Sequence, residues 1–107
     1  MQLSESEKEV LAEVVEALRA DFGALEVVLY GSAARDDLEE GSDIDLLVVL
    51  PEVNWEIEQR VSDCCFDAGL KCGRVISTAC LSRAELTESP LRISPFVLNV
   101  RREGIRL

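Results

Sequence analysis

Histidine is missing from all 107 residues, which removes the common imidazole metal ligands and any nucleophile activated by a histidine base. Any catalysis must run on carboxylates and a metal ion. The four cysteines, Cys64, Cys65, Cys72 and Cys80, lack the paired C-x-x-C hooks of a zinc site and read as small buried hydrophobes in a reducing compartment. No run of ~20 apolar residues occurs, which excludes a membrane-spanning helix. Met1-Gln2-Leu3-Ser4-Glu5 lacks the basic and apolar regions of a secretion signal, so the expected location is cytoplasmic. There is no internal repeat, low-complexity tract or linker. At 11.8 kDa, residues 1–107 read as a single domain with one modest core.

Basic residues are scarce in the first two thirds of the chain. Residues 1–70 hold 18 acids against 4 bases, and residues 71–107 hold 7 bases against 3 acids, within a net charge of −10. An acidic body argues against tight direct binding of nucleic acid, which depends on Lys and Arg neutralising phosphates. The C-terminal third leaves room for a basic patch of Arg74, Arg92, Arg101, Arg102 and Arg106, although a solvated charged face is the simpler reading.

What is present is concentrated between Val27 and Leu50. The apolar run Val27-Val28-Leu29-Tyr30 is too short for a helix, reads as a buried strand, and opens onto Gly31-Ser32-Ala33-Ala34-Arg35. After an acidic loop, Gly41-Ser42-Asp43-Ile44-Asp45 leads into a second such run, Leu46 to Leu50. Side chains two apart on a strand share a face, so Asp43 and Asp45 project together while Ile44 points into the core. Two adjacent carboxylates repel unless a cation compensates, and Mg²⁺ commonly takes one or two carboxylates plus phosphate oxygens. Gly31 lets a backbone come close to a phosphate, the Ser32 hydroxyl can donate to it, and Arg35 adds a cationic donor fork. The residues outline a phosphate-and-metal site.

Gly31-Ser32, ten intervening residues and Asp43-Ile44-Asp45 resemble the signature of the minimal nucleotidyltransferases of the DNA polymerase β superfamily. Ala34-Arg35, Ser42 and Leu46-Leu47-Val48 strengthen the likeness. It implies an α/β (α+β) fold: a small mixed sheet of three or four strands, two long helices packed on it and shorter helices near the C-terminus. It also implies that Asp43 and Asp45 hold Mg²⁺ and are catalytic, and that Gly31, Ser32, Arg35 and Ser42 contact ATP, the substrate. Two departures from the family pattern stand out. Asp36 occupies a place where many members have glycine, and no acid lies between Lys71 and Arg83, where transferring members often carry a third carboxylate on a strand.

Around this centre, Ser4-Glu5-Ser6-Glu7 is a capping box ahead of a helix with Val10, Leu11, Val14, Val15, Leu18 and Phe22 on one side. A strand is expected from Leu25 to Tyr30. A second helix starts at Asn54 or Trp55, with Trp55 a core or rim aromatic and Gly69 its stop. Arg74 to Leu81 reads as the third strand. Ser82 to Glu85 caps a short helix, and Ser94-Pro95 opens a last one packed through Phe96, Val97 and Val100 and ended by Gly104. Ile105-Arg106-Leu107 reads as a hydrophobic tail.

Small stand-alone members of the family resemble antitoxins paired with all-helical HEPN toxins, which they modify by moving AMP onto a tyrosine. The first expectation is therefore a protein adenylyltransferase antitoxin with a HEPN partner. The alternative is a weak or inactive nucleotide-binding antitoxin that neutralises its partner by contact. A small-molecule nucleotidyltransferase of the aminoglycoside-modifying kind is a weaker third. The sequence leaves a homo-oligomer open.

Overall fold

The computed structural model describes residues 3–107; Met1 and Gln2, part of the stretch read as lacking a secretion signal, lie outside the described residues. Helix α1 (Glu5–Phe22) starts at Ser4, whose hydroxyl accepts from the Glu7 N–H at 3.1 Å while the Glu7 carboxylate accepts from the Ser4 N–H at 2.8 Å. That reciprocal pair satisfies two donors a helix start otherwise leaves open. There follow β1 (Glu26–Tyr30), a 3₁₀ turn (Gly31–Ala33), β2 (Ile44–Leu50), α2 (Trp55–Cys72), β3 (Ile76–Ser82), α3 (Arg83–Glu88), a second 3₁₀ turn (Pro90–Ile93), α4 (Pro95–Glu103) and β4 (Ile105–Arg106). The sheet order is β3-β2-β1-β4, with β2 and β3 parallel and the other neighbours antiparallel. The expected mixed sheet with two long helices is present, and it has four strands.

Strand β2 lies inside the sheet and is apolar on both faces because helices cover both. Ile44, Leu46, Val48 and Leu50 pack with Val10, Leu11, Val14 and Leu18 of α1 and with Val61 and Cys65 of α2. Leu47 and Val49 face the other way, onto Leu86, Val97 and Val100 of α3 and α4. The α3–α4 cover is shorter, so the Asp45 end of that face stays partly open. The β1–β2 connection is antiparallel, which aims the end of β1 and the start of β2 at the same place.

Several expectations need correction. Helix α2 does not stop at Gly69 but runs to Cys72, with Gly73 in the left-handed region (φ 71°) as its cap. Gly69 is instead a crossing point, where an added Cβ would lie 2.3 Å from the Arg74 carbonyl oxygen. Gly69→Ala is therefore expected to cost about 1–3 kcal/mol of overpacking, read as a Tm drop of ~4–8 °C per kcal/mol in a thermal melt. Trp55 is not in the core: it is 78% exposed. It precedes Ile57 by two residues, about 200° round the helix from the buried stripe of Ile57, Val61 and Cys65. The first and third strands start later than expected, at Glu26 and Ile76. The hydrophobic tail contains an edge strand, β4, paired to Val28 and Leu29. On α4, Val97 and Val100 are buried, whereas Phe96 is partly exposed and meets Tyr30 edge-on at 5.4 Å.

Of the four cysteines only Cys65 is fully buried; the others are half-buried. Burial pushes the Cys65 thiol up to about 12 and the Cys80 thiol up to about 11, so both stay protonated and inert. Among the described residues no helix is long and apolar enough to cross a membrane.

Candidate active site

Asp45 sits on β2 opposite Tyr30, the last residue of β1, and beside Ser77 of β3. Asp43 lies just before β2, and its carboxylate accepts from the Ser77 hydroxyl at 3.1 Å. Ile44 between them is fully buried. The strand's alternation thus anchors the pair through the core while both carboxylates remain on the opposite face. The parallel register supplies the hydroxyl that braces one of them.

Gly31 closes the site from the β1 side. Its φ of 72° lies in the left-handed region, and an added Cβ would stand 2.5 Å from Asp45 Oδ2. Any larger residue pays twice, in backbone strain and in collision. The Gly31 carbonyl accepts from the N–H groups of Ala34 and Arg35, both at 3.1 Å, which tightens the turn that carries Ser32. The Ser32 carbonyl takes the Asp37 N–H at 3.0 Å. Asp36, in the family's glycine place, has φ 60°. Aspartate tolerates that region better than most residues.

The electrostatics follow from the crowding of acids. The Asp45 carboxyl is pushed above its ordinary value of 3.8, first by burial and then by the charge of Asp43, with Arg35 partly offsetting both. The Tyr30 phenol is also pushed up, by burial first and then by Asp45. Arg35 itself pairs with Asp37 at 3.4 Å and with Glu103 at 3.5 Å, bridging the loop to α4. It flanks the carboxylates without pairing with them. Ser42 is engaged in its own turn: its hydroxyl accepts from the Glu39 N–H at 3.2 Å and its carbonyl from Arg74 at 2.9 Å.

That last contact belongs to a clamp that sequence reasoning missed. Arg74, read above as part of a basic patch, is turned inward. It ion-pairs with Glu7 of α1 and donates to the carbonyls of Glu39 and Ser42. The loop entering Asp43 is thereby tied to two other elements. Other members of that patch are also engaged, Arg101 with Glu26 and Arg102 with Glu103.

The donor set fits Mg²⁺: two carboxylates, one of them strained by the other's charge, leave most of a hard cation's coordination to water and substrate oxygens. Among the described residues no group of three or more acids, histidines or cysteines is placed to hold a metal ion. The site-facing positions of β3 are Ser77 and Ala79. A hollow of about 250 Å³ beside the pair is lined by Tyr30, Gly31, Arg35, Phe96, Asn99 and Glu103. A larger hollow of about 710 Å³, between α1 and Leu107, contains none of these residues. The carboxylates, not the volume, mark the candidate site.

An Asp-x-Asp strand beside a Gly-Ser turn on a small mixed sheet is the arrangement of a nucleotidyl-transferring enzyme. The nucleotidyltransferase-domain family model matches residues 11–78, more than half of the chain, and the chain belongs to this family, within the polymerase β superfamily. It is a nucleotidyltransferase. A Methanocaldococcus jannaschii protein named "putative protein adenylyltransferase" is 37% identical over 101 residues, covering 92% of this chain and 95% of its own. A crystal structure from Sulfolobus solfataricus titled as a "putative nucleotidyltransferase" shares 22% identity over 99% of this chain and 89% of its own, with a TM-score of 0.49. The family assignment rests on the sequence matches.

Gly31→Ala gives a direct test of the site's tightness. Its Cβ must displace the Asp45 carboxylate, and a misplacement of ~1 Å can cost ~100-fold in rate. Nucleotidyl transfer by the variant is expected to fall by that order, while its circular dichroism keeps the wild-type helix and strand content.

Proposed function

We propose that this nucleotidyltransferase moves AMP from ATP onto a hydroxyl of a separate protein, a tyrosine of a HEPN-type toxin, and so acts as the antitoxin of a pair. The observation that carries this reading is the relative named as a protein adenylyltransferase, which matches nearly end to end. The hollow beside the carboxylates agrees with it. At about 250 Å³ it falls below the ~300–1,000 Å³ of an ordinary ligand pocket, so an acceptor is better supplied by a partner's surface than held in a cavity.

In this reading Asp43 and Asp45 hold Mg²⁺, which when bound neutralises phosphate charge and stabilises the attacking and leaving oxygens. Ser77 orients Asp43. The Gly31 backbone and the Ser32 hydroxyl contact the triphosphate, and Arg35 lies within reach of its charge. The acceptor oxygen forms a bond to the α-phosphorus, the bond to the pyrophosphate oxygen breaks, and the acceptor's proton passes to solvent. The protein supplies position and charge, not a covalent intermediate.

Ser77 and Ala79 on β3 favour a second reading, a nucleotide-binding antitoxin that neutralises its partner by contact, because neither residue can ionise to activate the acceptor hydroxyl. Incubation with Mg²⁺ and α-phosphate-labelled ATP, with and without the HEPN protein, separates the two. Label on the partner that is lost in Asp43→Asn supports transfer. A stable complex that never acquires label supports neutralisation by contact.

A further inference from the structure

The sheet ends differently on its two sides. Strand β4 is two residues long, which blunts that edge. Strand β3, on the other side, has seven residues with no charge and no proline. Natural edges are normally protected by brevity, charge, proline or a covering segment. The Val75 carbonyl accepts from the Ile44 N–H at 2.9 Å. Parallel pairing alternates along the strand, so Ser77, Ala79 and Leu81 also turn their backbone groups toward β2. The N–H and C=O groups of Ile76, Thr78 and Cys80 therefore point to the open edge.

Beside that edge, α2 presents Trp55, Gln59, Ser62, Phe66 and Leu70 at three- and four-residue steps, with Phe66 64% and Leu70 68% exposed. Two hollows separate this stripe from β3, one next to Trp55 and one next to Phe66 and Leu70. They meet at Ser62 and Thr78, which line both.

We infer that a second copy of this chain docks here, β3 against β3 in antiparallel pairing, about a twofold axis at Thr78. The surface is its own complement. With Thr78 facing its counterpart, Ile76 faces Cys80 of the second copy, and the two strands exchange the backbone hydrogen bonds both lack. Trp55 lies seven residues before Ser62, and Phe66 and Leu70 lie four and eight after it. The twofold therefore brings each Trp55 over the other copy's Phe66 and Leu70, as a self-complementary interface requires. Of the charged groups on α2, Lys71 is already paired with Glu13 of α1 and Asp63 accepts from Gln59, so backbone and apolar groups carry the contact. Elsewhere two chains of net charge −10 repel, whereas the β3 edge itself carries no charge.

In the dimer the sheet runs through both copies. Thr78 and Cys80 project on the α2 face and Asp45 and Ser77 on the other, so both carboxylate pairs stay open on one side of the joint sheet. The inference does not depend on which acceptor the enzyme uses.

Sedimentation velocity on the full chain, over a wide range of concentration, tests it with two variants. Thr78→Pro removes an outward N–H that an edge strand does not need for its own fold, and Phe66→Glu changes an exposed residue. The wild type is expected to sediment at twice 11.8 kDa, and each variant as a monomer with unchanged circular dichroism, its dimer affinity down by ~100-fold or more. Phe66→Glu should retain nucleotidyl transfer. A wild type that stays monomeric throughout overturns the inference, as does a dimer that persists in both variants. If the wild type is a monomer and the variants lose binding to a HEPN protein, the edge belongs to that partner, and the inference is again overturned.

Discussion

Asp45→Asn is expected to melt at a higher temperature than the wild type in metal-free buffer at neutral pH, and to transfer nucleotide far more slowly. The two effects share one cause. The Asp45 carboxyl is pushed up by burial and by Asp43, so ionising it costs the folded state more than the unfolded chain. A carboxyl raised on folding contributes its full stability below its unfolded value, near 3.8, and loses it as pH rises through the folded value. The wild type therefore carries the penalty at neutral pH, and the neutral asparagine does not. The advantage of the variant should shrink on acidification and vanish below about pH 3.8. Thermal melts from pH 3 to 8 check the sign. A variant that melts lower than the wild type at pH 7 contradicts the account.

Mg²⁺ with ATP should reverse the order. A ligand that binds only the folded state stabilises it by about 2.7 kcal/mol at a hundred times its Kd, and the wild type alone has both carboxylates with which to gain this. Loss of the ligand should lower transfer by ~1,000-fold or more, since metal binding supplies several kcal/mol of charge stabilisation at tenfold per ~1.4 kcal/mol. An Asp45→Asn protein that turned over normally would remove the metal pair from the mechanism.

The parts of the site visible in the sequence are those set by neighbours along the chain. Two apolar runs, a glycine-serine at the end of one and alternating aspartates at the start of the other, need only strand periodicity to be read, and α1 and α3 announce themselves by capping boxes. Contacts between distant segments were not legible. Nothing local says that Ser77 will reach Asp43, because that depends on the β2–β3 register. Gly69 looks like a helix stop because glycine often is one, and only the return of the chain at Arg74 shows that it clears a crossing. Strand β4 is too short to carry a pattern. Trp55 reads as a core or rim aromatic on residue type, and its angle around α2 turns it to solvent instead.

Arg74 is the largest such omission, and its removal should affect stability and site together. Its guanidinium and the Glu7 carboxylate, with side chains 17% and 11% exposed, form one ion pair, and the same guanidinium holds the carbonyls of Glu39 and Ser42. Arg74→Met leaves Glu7 without its cation and frees the loop ahead of Asp43. Hydrogen bonds to charged groups are worth about 1.5–3 kcal/mol, so Tm should fall on the order of 10 °C. Adding Glu7→Gln should recover part of that loss, because the stranded charge is gone. It cannot recover the loop contacts, so the double variant should melt between Arg74→Met and the wild type and still need more Mg²⁺ for half-maximal transfer. The pH response separates the two contributions. The Glu7 carboxyl is held below its ordinary value, first by the Ser4 backbone N–H and also by Arg74, so its stabilisation is present above about pH 4.5 and fades as pH falls through the lowered folded value. Glu7→Gln variants should lack that acid-dependent loss. If Arg74→Met kept the wild-type Mg²⁺ requirement, the clamp would stabilise the fold without positioning Asp43.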